Sequence, residues 1–210
     1  MIRLFIVLVA FLVATESYSK DRADNVEPRY ILSGDLTLES YFKFQDYTKL
    51  HPELRELEFQ NSTGSASDAI AVVNLFQLKI DEMKLNTYAR GQCLSTCAFI
   101  FLMGHQRTLL KGSEFSPTEL RLHPIAQTET KIYLTADTDK FIKLVSERSN
   151  SKITVELLKK MYELEDRNGG LIIKREARDG KHVFFQKKYG DKLQALSDAS
   201  LSELNLLSAE

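Results

Sequence analysis

Strand-like and helix-like segments alternate as far as about residue 125, and this alternation limits the folds open to the chain more than any other feature. Residues 30–34 form a short apolar run closed by Gly34, which predicts a strand ending at a turn. Over 37–50 the apolar positions Leu38, Tyr41, Phe42, Tyr47 and Leu50 share one broad helical face. Pro52 ends that helix, because proline disfavours helical geometry in the residue before it. The pattern then predicts a strand at 54–59, a turn-rich loop at 60–65 and a long helix at 67–85. That helix carries Ala69, Ile70, Val73, Leu75, Phe76, Leu78, Ile80 and Met83 on a wide apolar face. A strand at 86–89, a turn at 91–95 and a short helix at 96–103 follow. The last is apolar nearly all round, so it is expected to be buried. Strands are expected at 107–110 and 120–123. Alternation of this kind implies parallel βα units in an α/β domain, with ligand sites at the carboxyl ends of the strands.

Beyond residue 125 the pattern changes. Two helices are expected near 137–149 and 154–166, and Gly169 and Gly170 interrupt the pattern. Runs at 171–174 and 182–186 flank Asp179-Gly180, a strong turn dipeptide, and predict a β-hairpin. A last short helix is expected at 201–207.

The chain has 210 residues, enough for one domain with a substantial core. With 28 basic and 29 acidic residues it has no basic excess, which argues against a nucleic-acid partner. The first residues stand apart. A positive Met1-Ile2-Arg3, an apolar run over 4–14 and small residues at Ser17 and Ser19 read as a secretory signal peptide cut before Lys20. The run is short for a bilayer span, an uncleaved N-terminal anchor being the alternative, and no later segment is long enough for a span. The expected organisation is a signal peptide at 1–19, a loose N-terminus at 20–28 and a single domain over 29–210. Its destination would be periplasmic or secreted.

Cys93 and Cys97 are the whole thiol inventory. In an exported protein an even count suggests a disulfide, although two small buried side chains packing a helix would serve as well. Spacing of i, i+4 suits a bridge better if Cys93 lies in the turn before the helix. Without His or Cys partners nearby they make a poor zinc site, and neither metal nor cofactor is expected.

Ser95 lies between these cysteines, and His123 closes the strand expected at 120–123. A serine hydroxyl becomes a nucleophile only with a base within hydrogen-bond reach and donors for the oxyanion that forms. Ser95 is also a reasonable helix N-cap, and a lone strand histidine is commonly structural. Arg90 and Arg107 flank the pair and read as exposed strand-end charges. His105 and His182 read as surface histidines, while Tyr30, Phe42, Phe76, Phe99 and Phe101 read as core aromatics.

Five segments in order resemble the ClpP/crotonase superfamily, and most closely its small periplasmic ClpP-like members. Residues 31–36 (Ile-Leu-Ser-Gly-Asp-Leu) resemble the first strand and its S-G-x-I end. Residues 61–65 (Asn-Ser-Thr-Gly-Ser) are similar to an N-S-P-G-G loop, matching at Asn61, Ser62 and Gly64. Residues 93–98 (Cys-Leu-Ser-Thr-Cys-Ala) resemble a C-x-S-A-C nucleophile turn, and 101–107 an F-L-A-G-x-x-R run. Leu122-His123 resembles the strand that carries the catalytic histidine.

The resemblance implies stacked ββα units with a parallel sheet, to which this chain adds a C-terminal helical segment and hairpin. It implies Ser95 as nucleophile and His123 as general base, with Gly64 in the oxyanion loop and the N–H groups of Thr96 and Ser65 as oxyanion donors. It implies Asp198 as the residue orienting His123, with Asp166 a rival. The chain departs from the pattern at Thr63, Ser65 and Thr96. A peptide or protein substrate follows from the resemblance, as does assembly into a homo-oligomer. Two functions compete: an exported serine hydrolase acting as a peptidase, and an inactive descendant of the fold that binds a peptide or protein in the periplasm. A small structural envelope protein is a third.

Overall fold

A computed structural model describes residues 28–64, 68–113, 116–125, 135–163, 169–188, 192–197 and 200–208. The signal-like segment, Ser65, Asp166 and Asp198 lie outside these residues. Three parallel strands, β1 (Arg29–Leu36), β2 (Glu56–Gly64) and β3 (Asn86–Leu94), lie side by side. Helices α1 (Leu38–Leu50) and α2 (Ala69–Met83) connect them, as the alternation requires. The seven residues of α3 (Thr96–Leu102) are all buried, as the apolar character of the six after Thr96 requires.

β4 (Arg107–Leu109) pairs with the first half of β3, and β5 (Thr118–Leu122) with its end; both are parallel to it. Thr118 joins the two halves. Its buried hydroxyl accepts from Gly91 N at 3.1 Å and donates to Leu110 O at 2.7 Å.

Phe44 of α1 and Phe76 of α2 stack at 5.4 Å, with Tyr41 edge-on to Phe76 at 5.2 Å. Leu57, Phe59 and Ala89 are fully buried in the same core. Phe42 departs from expectation: it is 52% exposed, one step round α1 from the buried Tyr41.

The sheet turns antiparallel beyond β5. After α4 (Thr135–Arg148) and α5 (Val155–Lys159), the expected hairpin forms as β6 (Gly170–Arg175) and β7 (His182–Lys187). β6 pairs along all of β5 and extends the main sheet, and an unexpected β8 (Leu193–Ala195) closes that edge.

Four further expectations change. The loop at 60–64 is strand, kinked by a bulge at Asn61 (φ 48°), where both neighbouring registers shift. Residues 91–94 are also strand: Gly91 (φ 72°) accommodates the Asn61 carboxamide, which accepts from Gln92 N at 3.1 Å. A side chain on Gly91 would collide with that carboxamide. The helix at 154–166 is short, ending in a 3₁₀ turn at Lys160–Tyr162. Residues 201–207 form successive turns, with Asn205 at φ 52°.

Arg107 explains the last of these. It is only 5% exposed, not a surface charge. Its guanidinium donates to Leu206 O, Gly104 O and Asn205 O at 2.8–3.0 Å, holding the C-terminal turns against β4. Arg90 is exposed as expected, and bridges Glu58 and Lys111 O.

Candidate functional site

The site lies where β2, β3 and β5 end. Ser95 forms the whole turn between β3 and α3, with φ 56° and ψ −120°. Side-chain sterics disfavour this conformation in any residue but glycine, at a cost of about 1–3 kcal/mol. The backbone is held from both sides. Ser95 N donates to Arg121 O of β5 at 2.9 Å, and Ser95 O accepts from Phe99 N at 3.2 Å. The hydroxyl makes no capping bond to α3, although Ser95 occupies the N-cap position. A capping serine has extended backbone and bonds the second or third helical amide, so Ser95 is not acting as a cap.

The cysteines bracket this turn. Cys93 near the end of β3 and Cys97 in the first turn of α3 are joined by a disulfide, and both are fully buried. The bridge needs Cys93 out of the helix, and the β3 end supplies that position.

His123 follows the last residue of β5. Cys93 pairs with Leu120 and Leu94 with Arg121, so Ser95 and His123 sit at the ends of adjacent parallel strands. The His123 ring is half-buried, and Nδ1 lies 3.1 Å from Pro124 O. The tautomer protonated on Nδ1 donates to that carbonyl and keeps its lone pair on Nε2, as a general base requires. Burial lowers the His123 pKa below its ordinary value; the Pro124 carbonyl opposes this, and Arg121 adds to it. Burial therefore favours the neutral imidazole. No hydrogen bond joins the Ser95 hydroxyl to this ring among the described residues. Gly170 (φ 136°) packs where a side chain would strike Leu122 O, so β6 begins beside the strand end that carries His123.

Gly64 ends β2 hard against Thr96. A side chain there would collide with the Thr96 hydroxyl and Cβ. The structure thus brings together Ser95, Thr96, Gly64 and the disulfide, with His123 on the neighbouring strand. Ser65 and Asp198, the other two expected site residues, lie outside the described residues. Sequence reasoning missed the Pro124 carbonyl, the Asn61–Gly91 interlock and Gly170. The His-Pro and Gly-Gly dipeptides were their only visible traces. No group of three His, Cys, Asp or Glu side chains suited to a metal gathers among the described residues.

No protein-family model matches the sequence, and no curated protein matches it. Solved structures do. The ClpP protease catalytic domain from Plasmodium falciparum is 14% identical, with a TM-score of 0.49, over 86% of this chain and 82% of that one. A membrane-bound stomatin-specific protease in complex with a substrate peptide is 18% identical, with a TM-score of 0.45, over 61% of this chain and 63% of that one. A third structure, described only as an enzyme, is 13% identical, with a TM-score of 0.51, over 86% of this chain and 93% of that one. Identities this low bear on the fold alone. A mostly parallel central sheet flanked by helices makes this an α/β fold, shared with the third of these structures.

Proposed function

We propose that this chain is an exported serine hydrolase of the ClpP/crotonase superfamily, a peptidase with Ser95 as nucleophile and His123 as base. The observation that carries this reading is the Ser95 turn: a strained backbone whose hydroxyl is not used for capping. Strain of this kind persists where the surroundings impose it, and it clusters at active sites. A serine on a sharp strand-to-helix turn presents Oγ above the sheet edge, the arrangement of a nucleophile elbow.

In the proposed reaction Ser95 Oγ attacks a peptide carbonyl carbon, and its proton passes to His123 Nε2. The carbonyl electron pair moves onto oxygen, where the Thr96 N–H donates to it, with the Ser65 N–H as second donor. Collapse of that intermediate expels the amine, which takes the proton back from His123. Water then hydrolyses the acyl-serine by the same route. The Pro124 carbonyl orients the imidazole, and Asp198 is the proposed carboxylate partner. The disulfide and the signal-like N-terminus support export to an oxidising compartment. No helix among the described residues is long and apolar enough to cross a membrane. Assembly into a homo-oligomer is part of the proposal.

The competing reading is an inactive, peptide-binding form of the fold, and the missing Ser95–His123 hydrogen bond favours it. Hydrolysis of a mixed fluorogenic peptide pool by the full chain separates the two. Turnover that disappears in Ser95→Ala and His123→Ala supports the peptidase. Saturable peptide binding without turnover supports the binding module.

A further inference from the structure

The Thr96 hydroxyl is a buried polar group with no hydrogen-bond partner among the described residues. Thr96 as a whole is 1% exposed. Buried hydroxyls in folded proteins are nearly always paired, and an orphan calls for a specific explanation. Threonine usually resolves the problem by bonding a backbone carbonyl one turn earlier, but Thr96 opens its helix and has no preceding turn to reach. Thr87, Thr118 and Thr138 are also buried threonines of this chain, and each is bonded: Thr87 to Phe101 O, Thr118 to Leu110 O, and Thr138 to Ile125 N.

The place of the orphan narrows the explanation. Thr96 follows Ser95 directly, and its Oγ1 faces the backbone of Gly64 at the end of β2. Glycine at 64 is what lets the hydroxyl seat there, since any side chain would collide with it. Packing therefore fixes the hydroxyl beside the two segments proposed to cradle the oxyanion.

We propose that the Thr96 hydroxyl is a side-chain donor to the oxyanion, acting beside the Thr96 N–H; this rests on Ser95 being the nucleophile. The O–H donates only to the oxygen that gains charge when Ser95 attacks. No proton is transferred and no further bond breaks. Such a donor is worth most in the transition state, where the oxygen is an anion held in a dry site.

The test measures the labelling rate of the full chain by a fluorophosphonate, whose phosphoryl oxygen occupies the oxyanion position, alongside thermal midpoints. Thr96→Val keeps the shape and removes the hydroxyl. It is expected to label about 100-fold more slowly, the effect of losing one oxyanion donor. Its midpoint should equal or exceed that of wild type, because an unpaired buried hydroxyl has gone. Thr96→Ser should recover most of the rate. Thr96→Ala, which adds no bulk against Gly64, should be as slow as the valine variant. Equal rates for wild type and Thr96→Val, or a slow Thr96→Ser, would overturn the proposal while leaving Ser95 as nucleophile. A wild type that is not labelled at all would overturn both.

Discussion

The starts of α1 and α3 place a hydroxyl residue at the same helical position and use it in opposite ways. At α1, Thr37 has extended backbone (φ −122°), and its Oγ1 accepts from Ser40 N at 3.2 Å. Ser40 returns the bond, its Oγ accepting from Thr37 N at 2.9 Å, which completes a capping box. Thr154 caps α5 in the same way, accepting from Leu157 N at 3.1 Å. At α3, Ser95 has φ 56° and its side chain bonds nothing in the helix it precedes. The first arrangement gains stability from its hydroxyl. The second gives up stability and keeps the hydroxyl uncommitted on a rigid turn. A residue that costs the fold something and caps nothing is best explained by chemistry.

The largest effect expected is on reactivity. Ser95→Ala should lose more than about 1000-fold in fluorophosphonate labelling, as removal of a nucleophile does. Its thermal midpoint should hold, since no cap is lost. A drop in midpoint like that of a capping mutant would put Ser95 in the same class as Thr37. Next comes the bridge. Cys93→Ala with Cys97→Ala should lower stability by about 2 kcal/mol, through the entropy the short loop returns to the unfolded chain. Labelling should slow about tenfold as the turn relaxes. Unchanged labelling at a lowered midpoint would make the bridge a staple with no bearing on Ser95.

Thr37→Ala sharpens the comparison from the other side. It should lose about 1 kcal/mol in urea unfolding, with labelling unaltered. Ser95→Gly should gain about 1 kcal/mol, because glycine relieves the positive φ, while labelling disappears. Opposite stability signs at the two positions are the signature of the difference; the same sign at both would erase it.

The smallest effect is in pH. In the proposed reaction only neutral His123 can accept the serine proton, and burial favours the neutral form. Labelling should therefore rise with pH, with its half-point below 6.5, the ordinary histidine value. It should persist at mildly acidic pH, where an exposed histidine would already be protonated. A half-point above 6.5 would mean that the half-buried ring of this structure is not the working base.

Much of the fold was legible because its elements have clean periods. Most of the α2 face, the mainly apolar α3 and the Asp179-Gly180 hairpin each follow from one local rule, whereas the α1 face was misread: Phe42 and Leu50 are exposed and Phe44 is buried. The strand ends were not legible. Asn61, Ser62, Gly64 and Gly91 have turn chemistry, yet they extend β2 and β3 by means of a bulge and a positive-φ glycine. Only the neighbouring strand decides between these outcomes. β8 is only three residues long and all of them are exposed, so nothing local marks it. The turns at 201–207 carry helical residues, but Arg107 takes the carbonyls of Asn205 and Leu206, and it comes from far away in sequence. At the site, residue types pointed to the cysteine bridge, which forms, and to the proposed Ser95 and His123. The backbone angle at Ser95, the Pro124 carbonyl and the orphan Thr96 hydroxyl are tertiary facts, without a pattern in the chain.

The most direct test of the central claim is to treat the folded full chain with a fluorophosphonate and map the adduct by peptide mass spectrometry. The account predicts one adduct, on Ser95, that is absent from the urea-unfolded chain. An adduct on another residue, or none on the folded protein, would contradict it.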